Sequence, residues 1–323
     1  MMGVLKLLSA LFLLSLLCPG LSEVDGGFRK NCKAFFLNGV TPYIPRILEQ
    51  GTVPKPNLKS YKPICQFYKN DYRFATLYDM NNKIPMFSAY KFTGGRGSGN
   101  NIDDTWKIEP QLENKNAIKS MAEESQGAQY THQAVDQDYK NVNTDPLVNR
   151  GHLFPVMHAD GDDAKESTYT LTNIVPQVQT FNGGSWKLME ENVTKIMNQS
   201  CKNSNNNTEA YVVTGAVPSE NNTLNNRVNI PSFMWTAFCC EISTNQWHSG
   251  AHWGDNRNKS KKVRTVPLSV AELNNKLTNM YEKRFQLFPK ECLKLKESFL
   301  KQMYNLAHDS ACNIIRLIGD TFG

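Results

Sequence analysis

The stretch from residue 147 to residue 197 constrains the fold more than any other part of the chain. It opens with an extended run, 147–154, that carries Asn149, Arg150, Gly151 and His152. A second extended run, 169–174, follows after an Ala-Asp-Gly-Asp-Asp loop at 159–163, and the pattern pairs the two as strands. Asn182, Gly183 and Gly184 come next, where an asparagine suits the start of a helix. Beyond them Trp186, Met189, Val193 and Ile196 or Met197 recur every three or four residues, which predicts an amphipathic helix. The local unit is therefore two strands feeding one helix. It gathers an imidazole, a guanidinium and several side-chain amides into one short segment.

Those groups suit phosphodiester hydrolysis, which needs a base for water, a cation for developing charge and a proton for the leaving oxygen. His152 on an extended segment can serve as the base if a hydrogen bond to its second nitrogen holds one tautomer. Gly151 beside it leaves room for a backbone to approach substrate. Asn182 can offer a neutral carbonyl oxygen to Mg²⁺, an ion that keeps several waters and takes further ligands from substrate phosphates. By itself an Arg-Gly-His string says little, and His152 reads as well as a satisfied core histidine. Its weight comes from the company it keeps. Thr172-Asn173-Ile174-Val175-Pro176-Gln177 lies downstream, and Trp186 and Glu190 follow Asn182 in order.

This constellation resembles the DNA/RNA non-specific endonuclease family, which reads D-R-G-H, then S-N-I-x-P-Q, then an Asn followed by Trp and Glu. Weaker similarities in order run through Tyr90-Lys91, Trp106-Lys107, residues 134–139, Val212-Val213-Thr214-Gly215 and Ile230-Pro231. The resemblance implies an α+β, ββα-metal (His-Me finger) fold with a central, mainly antiparallel sheet flanked by helices. It also implies His152 as general base and Asn182 as ligand of one Mg²⁺ or a similar divalent cation such as Mn²⁺ or Ca²⁺. Glu190 would orient water around the cation, and Arg150 would touch the scissile phosphate or brace the site. Asn173 and Gln177 would support it. Three departures stand out: Asn149 replaces the Asp, Met157 replaces a small residue, and Asp103 and Asp104 occupy the place of an arginine before Trp106.

The ends of the chain set its compartment. Residues 1–22 carry one lysine, an apolar run at 4–17 and a close on small residues, which reads as a secretory signal peptide too short for a comfortable span. No later stretch is apolar enough to cross a bilayer. Without residues 1–22 the formal charge falls from +6 by the one lysine, a mild basic excess compatible with nucleic acid as substrate. Residues 23–70, rich in Pro and Lys, read as an irregular segment, and 71–323 as an endonuclease-like domain. Secretion makes disulfides the default for Cys32, Cys65, Cys201, Cys239, Cys240, Cys292 and Cys312, an odd set that leaves one thiol over. The expected pairs are Cys32–Cys65, Cys292–Cys312 and Cys201 with Cys239 or Cys240. Sequons at Asn192, Asn198, Asn206, Asn221 and Asn258 are glycosylation candidates.

Elsewhere the pattern predicts a hairpin from 75 to 92, a strand at 210–214, another across 229–242, a helix opened by the Ser269/Glu272 capping box, and a last helix bearing Leu295, Phe299, Met303 and Leu306. The glycine-rich 94–101 has no phosphate-loop lysine and reads as a loop whose Arg96 reaches substrate. His158 reads as a loop histidine near the site. His248 and His252 have metal spacing only on a helix, and adjacent cysteines do not suit zinc. The expected function is a secreted endonuclease that cuts DNA and RNA without strong sequence preference. The alternatives are a nuclease-fold binding protein with little turnover and a phosphodiesterase for another extracellular polyanion.

Overall fold

The computed structural model describes residues 24, 26–96, 102–140, 142–257 and 265–293. The expected signal peptide, Cys312, the Asn258 sequon and the last helix lie outside the described residues. Seven antiparallel strands form the central sheet in the order β1-β2-β3-β6-β9-β10-β11. They are β1 (Tyr61–Tyr68), β2 (Asp71–Asp79), β3 (Ile84–Phe92), β6 (Ala210–Val217), β9 (Phe233–Ser243), β10 (Gln246–Asp255) and β11 (Val266–Leu268). A separate pair, β4 (Val148–His152) and β5 (Ile174–Val178), forms the motif hairpin. A small ribbon, β7 (Thr223–Leu224) with β8 (Val228–Asn229), lies between β6 and β9 in sequence. Three helices matter for the layers: α1 (Asp162–Ser167), α2 (Lys187–Ser200) and α3 (Val270–Tyr281).

Both faces of the sheet are buried, so its strands read as nearly continuous apolar runs. Alternate residues serve different cores, as the two-residue period of a strand requires. Phe74, Tyr90, Phe92, Val212, Met234 and Phe238 pack with the motif hairpin and α2. Ala75, Leu77, Phe87, Ala89, Val213 and Trp235 pack with the N-terminal residues and α3. The same alternation explains the adjacent cysteines. Cys240 faces the first core and bonds Cys201 at the end of α2, while Cys239 faces the second and bonds Cys292. The expected Cys292–Cys312 pair is thus replaced by Cys239–Cys292, and Cys32–Cys65 forms as expected.

Other departures have local causes. β1, which contains Pro63, lies inside the Pro- and Lys-rich segment read as irregular. As the edge strand it pairs only with β2, and there a missing N–H is tolerated. The second motif strand is the Ile174–Val178 block itself, preceded by a single turn at Leu171–Asn173. The α2 unit starts early, with a turn at Gln179–Phe181. It then widens through a π-type turn at Asn182–Trp186, where Gly184 leaves helical angles (φ −110°, ψ −107°). His248 and His252 are buried on β10, where four residues span roughly 13 Å, too far apart to share one ion. Asn192 is buried in α2 against the core, which removes it as a glycosylation site, whereas Asn206 and Asn221 are exposed in loops. Replacing Cys239 and Cys292 by Ser together should lower unfolding free energy by about 2–5 kcal/mol, read from denaturant melts.

Candidate active site

β4 and β5 are held in register with Asn149 opposite Gln177 and His152 opposite Ile174. Gly151 is required at its position. A Cβ there would sit 2.1 Å from Gln177 Oε1 and 2.6 Å from Gln177 Cβ, so the space that the sequence suggests for substrate belongs to Gln177. The hairpin hands the chain to the widened turn, which swings Asn182 back beside Asn149. Asn182 Nδ2 donates to Asn149 Oδ1 at 2.8 Å. Both residues line an open cleft of about 470 Å³, together with His152, Gln179, Lys187 and Glu190 among others.

His152 is half-buried, its ring 5.6 Å from that of Trp106 and 5.3 Å from that of Tyr169. Its Nε2 is enclosed and finds no hydrogen-bond partner among the described residues, and the residue lines the cleft. The ring is held by aromatic flanks rather than by the hydrogen bond expected from the sequence. Removal from water pushes its pKa down to about 4, so it is a neutral imidazole at physiological pH. Burial acts in the opposite direction on Glu190 and pushes its carboxyl up to about 8.

Not every candidate reaches the cleft. Arg150 is stacked over Trp106 (4.9 Å) and Tyr139 (5.3 Å), and its Nη2 donates to the Asp136 carboxylate and, at 3.2 Å, to the Asp136 carbonyl. It braces the hairpin and does not line the cleft. Asp138, two residues on, is gripped by Arg227 (Nε to Oδ1, 2.8 Å), which fixes the segment that holds Arg150. Arg96 pairs with Asp160 (Nη2 to Oδ2, 2.9 Å) and fastens its loop to the one after the His152 strand. Asn173 is wholly buried and bonded at both ends of its amide, to Phe154 N (2.9 Å), Ser88 Oγ (2.9 Å), Phe154 O (3.0 Å) and Thr168 O (3.1 Å). His158 is buried too. Its Nδ1 accepts from Tyr90 and its Nε2 donates to Thr194, which donates to the Glu190 carbonyl (2.8, 2.8 and 2.7 Å). Trp186 packs in the core as expected.

The sequence reading missed Lys187, a cation on the cleft wall, though its place in the first turn of α2, just beyond Asn182, was a usable signal. It also missed Trp106 and Tyr169 as walls of the His152 ring, because neither spacing nor periodicity links residues so far apart. Over residues 58–285 the chain matches the DNA/RNA non-specific endonuclease family, about seven-tenths of its length. The chain belongs to that family. Two curated relatives are the Endonuclease domain-containing 1 proteins of Homo sapiens and Mus musculus, each 28% identical over 251 and 256 residues respectively. The alignments cover 75% and 77% of this chain and 45% of each relative, so the chain spans about half the length of the curated relatives it matches. The Nuclease of Serratia marcescens is 33% identical over 78 residues, covering 24% of this chain and 27% of that protein. A chain from the solved EndoG/EndoGI complex matches with a TM-score of 0.47 and 16% identity, covering 68% of this chain and 84% of that one.

Membership in this family and the β4-β5-α2 unit together identify the fold as α+β of the ββα-metal type. Gly151 supplies a direct check on the hairpin. Gly151→Ala should destabilise the protein by about 1–3 kcal/mol in thermal melts. Adding Gln177→Ala should recover part of the loss; no recovery would show that the contact is not the cause.

Proposed function

We propose that the protein is a secreted endonuclease that hydrolyses phosphodiester bonds of DNA and RNA without strong sequence preference. The observation that carries this reading is the convergence of His152, Asn182 and Glu190 on one cleft, with the Asn182 amide turned by Asn149. Secretion is supported by the apolar N-terminus, the three disulfides and the exposed sequons. No helix among the described residues is long and apolar enough to cross a membrane.

The donors fit a hydrated, weakly held divalent cation. Among the described residues no cluster of three or more His, Cys, Asp or Glu side chains could hold a metal. The cleft instead offers one amide oxygen, from Asn182, and one carboxylate, from Glu190. Such a set suits Mg²⁺, which retains waters and is completed by substrate phosphate. When bound, the cation would neutralise charge on the phosphate and supply an acidic proton for the departing 3′ oxygen. The rest is done by this chain. The His152 imidazole takes the proton from the attacking water, and the aromatic flanks hold that ring in place. Lys187 attracts the phosphate to the cleft mouth. Arg150 holds the strand from behind.

Plasmid and RNA cleavage by purified protein, with and without chelator, tests this. Wild-type cutting should vanish on chelation, and His152→Ala should lower the rate by roughly 10²–10⁴-fold. Undiminished cutting by His152→Ala sinks the mechanism. The second reading, a nuclease-fold binder with little turnover, draws on Asn149 in place of the usual Asp. Metal-dependent cleavage that is lost in Asn182→Ala excludes it.

The two shifted groups give a pH dependence. His152 is neutral at every pH well above its value of about 4, so it does not limit the rate near neutrality. Glu190, with a pKa of about 8, is protonated at neutral pH in the absence of a cation and ionises as pH rises. At subsaturating Mg²⁺, cleavage should therefore climb between pH 6 and pH 9, roughly tenfold per unit at the steepest. Glu190→Gln should flatten that climb. A wild-type profile that is flat across the window contradicts the assignment.

A further inference from the structure

The sheet face turned away from the cleft carries a second cavity. Residues 24–57 precede the family match and fold as a cap on the second core. Within the cap lies a pocket of about 500 Å³, inside the range of small-molecule sites (roughly 300–1,000 Å³). Beneath it lies Phe28, fully buried and packed on Phe36 (5.2 Å between centroids) and Phe87 (6.3 Å). Its mouth exposes Val40 and Tyr43, at 49% and 38% of their surfaces, two of the few large apolar side chains left to solvent among the described residues.

The walls are fixed before any ligand arrives. Phe28 N donates to Gly51 O at 2.8 Å, and the Cys32–Cys65 bond ties the next turn to β1. Tyr43 exchanges two backbone hydrogen bonds with Gln286, at 2.8 and 3.0 Å. Gly39 takes a left-handed φ of +68°, and a Cβ there would lie 2.4 Å from Lys33 Cε, so the lysine stem rests flat on the glycine.

Charge then selects the ligand. Arg29 and Lys33 both reach this pocket, and no carboxylate among the described residues lines it. Among the described residues Arg29 is pinned by neutral acceptors, Nε to Gln50 O (2.7 Å) and Nη2 to Gln50 Oε1 (3.1 Å). The guanidinium is thus positioned without being neutralised. A rigid apolar pocket with two cations and no acid is complementary to a molecule with an apolar body and one anionic head. We propose that this pocket binds an amphiphilic carboxylate of the medium-chain fatty-acid class. Its chain lies over Val40 and Tyr43, and its head meets Arg29 and Lys33. The site is independent of the cleft, which lies on the other face of the sheet.

Calorimetric titration of the full chain tests the assignment with three twelve-carbon probes kept below their micelle concentrations: laurate, the uncharged alcohol, and a trimethylammonium cation. Laurate should bind saturably, one to one, about tenfold tighter than the alcohol, the scale of one charged hydrogen bond. The cation should not bind. Arg29→Gln with Lys33→Gln should bring laurate down to the affinity of the alcohol, and Val40→Asp should abolish binding of both. Thermal melts of these surface variants should match wild type. Absence of saturable laurate binding, equal binding of the cation, or laurate affinity untouched by the double substitution would each overturn the proposal.

Discussion

A buried polar seam fastens the motif hairpin to the main sheet, and the geometry of the cleft depends on it. Gln66 of β1 donates to Thr76 Oγ1 of β2 (3.1 Å) and to Thr172 Oγ1 (2.8 Å). Thr76 meets Ser88 of β3 (3.1 Å), and Ser88 donates to Asn173 Oδ1 (2.9 Å). Asn173 then clasps Phe154 through both backbone groups. The seam thus runs from the edge strand to the residue just past His152 and Leu153. All of these side chains are removed from water, where leaving one polar group unpaired costs about 1–3 kcal/mol. Sliding the hairpin against the sheet would break several such bonds at once. The hairpin therefore has one docking position, and that position places His152.

The same logic extends through the two-faced sheet. Because Cys239 and Cys240 point to opposite cores, one strand is bonded covalently to both layers. The Cys201–Cys240 bond anchors the far end of α2, the helix whose near end carries Lys187 and Glu190. Midway along α2 the His158–Thr194 contact joins the helix to Tyr90 on β3. Helix and hairpin are thus tied separately to one rigid sheet. The distance between His152 and Glu190 is set by the sheet and not by the loop that joins them.

The sequence made this site legible where function needs residues close in the chain, and left it obscure where the fold supplies the neighbour. His152, Asn182 and Glu190 were readable because strand, turn and helix follow one another without a long connection. Asn173 was readable as a support, but Gln66, Thr76 and Ser88 were not. Single polar residues on otherwise apolar strands carry no periodic signal, and only the paired register reveals their partners. Arg150 was readable as a site residue but its direction was not. Trp106, Tyr139 and Asp136, which turn it from the cleft, come from separate segments. β1 was hidden in a Pro- and Lys-rich segment, and the meaning of Pro63 depends on whether the strand is an edge, which is a property of the sheet. The vicinal cysteines were visible, yet their partners required knowing that they lie on a strand.

Asn149 can now be weighed in physical terms. Its observed task is to accept a hydrogen bond from Asn182 Nδ2, and a carboxylate oxygen or an amide oxygen performs that task equally well. The orientation of the Asn182 amide therefore survives the loss of charge at residue 149. What changes is the field in the cleft. An acid at that distance would contribute a few kcal/mol of attraction to a cation in a partly solvated site. Without it, Glu190 is the only acid among the described residues on the cleft wall, and burial keeps it protonated until the pH is mildly alkaline. On the proposed reading, the protein holds its cation mainly when a phosphate arrives with the missing negative charge. Selection at this site then acts on the cation–phosphate pair, and Asn149 serves to keep the carbonyl of Asn182 turned toward it.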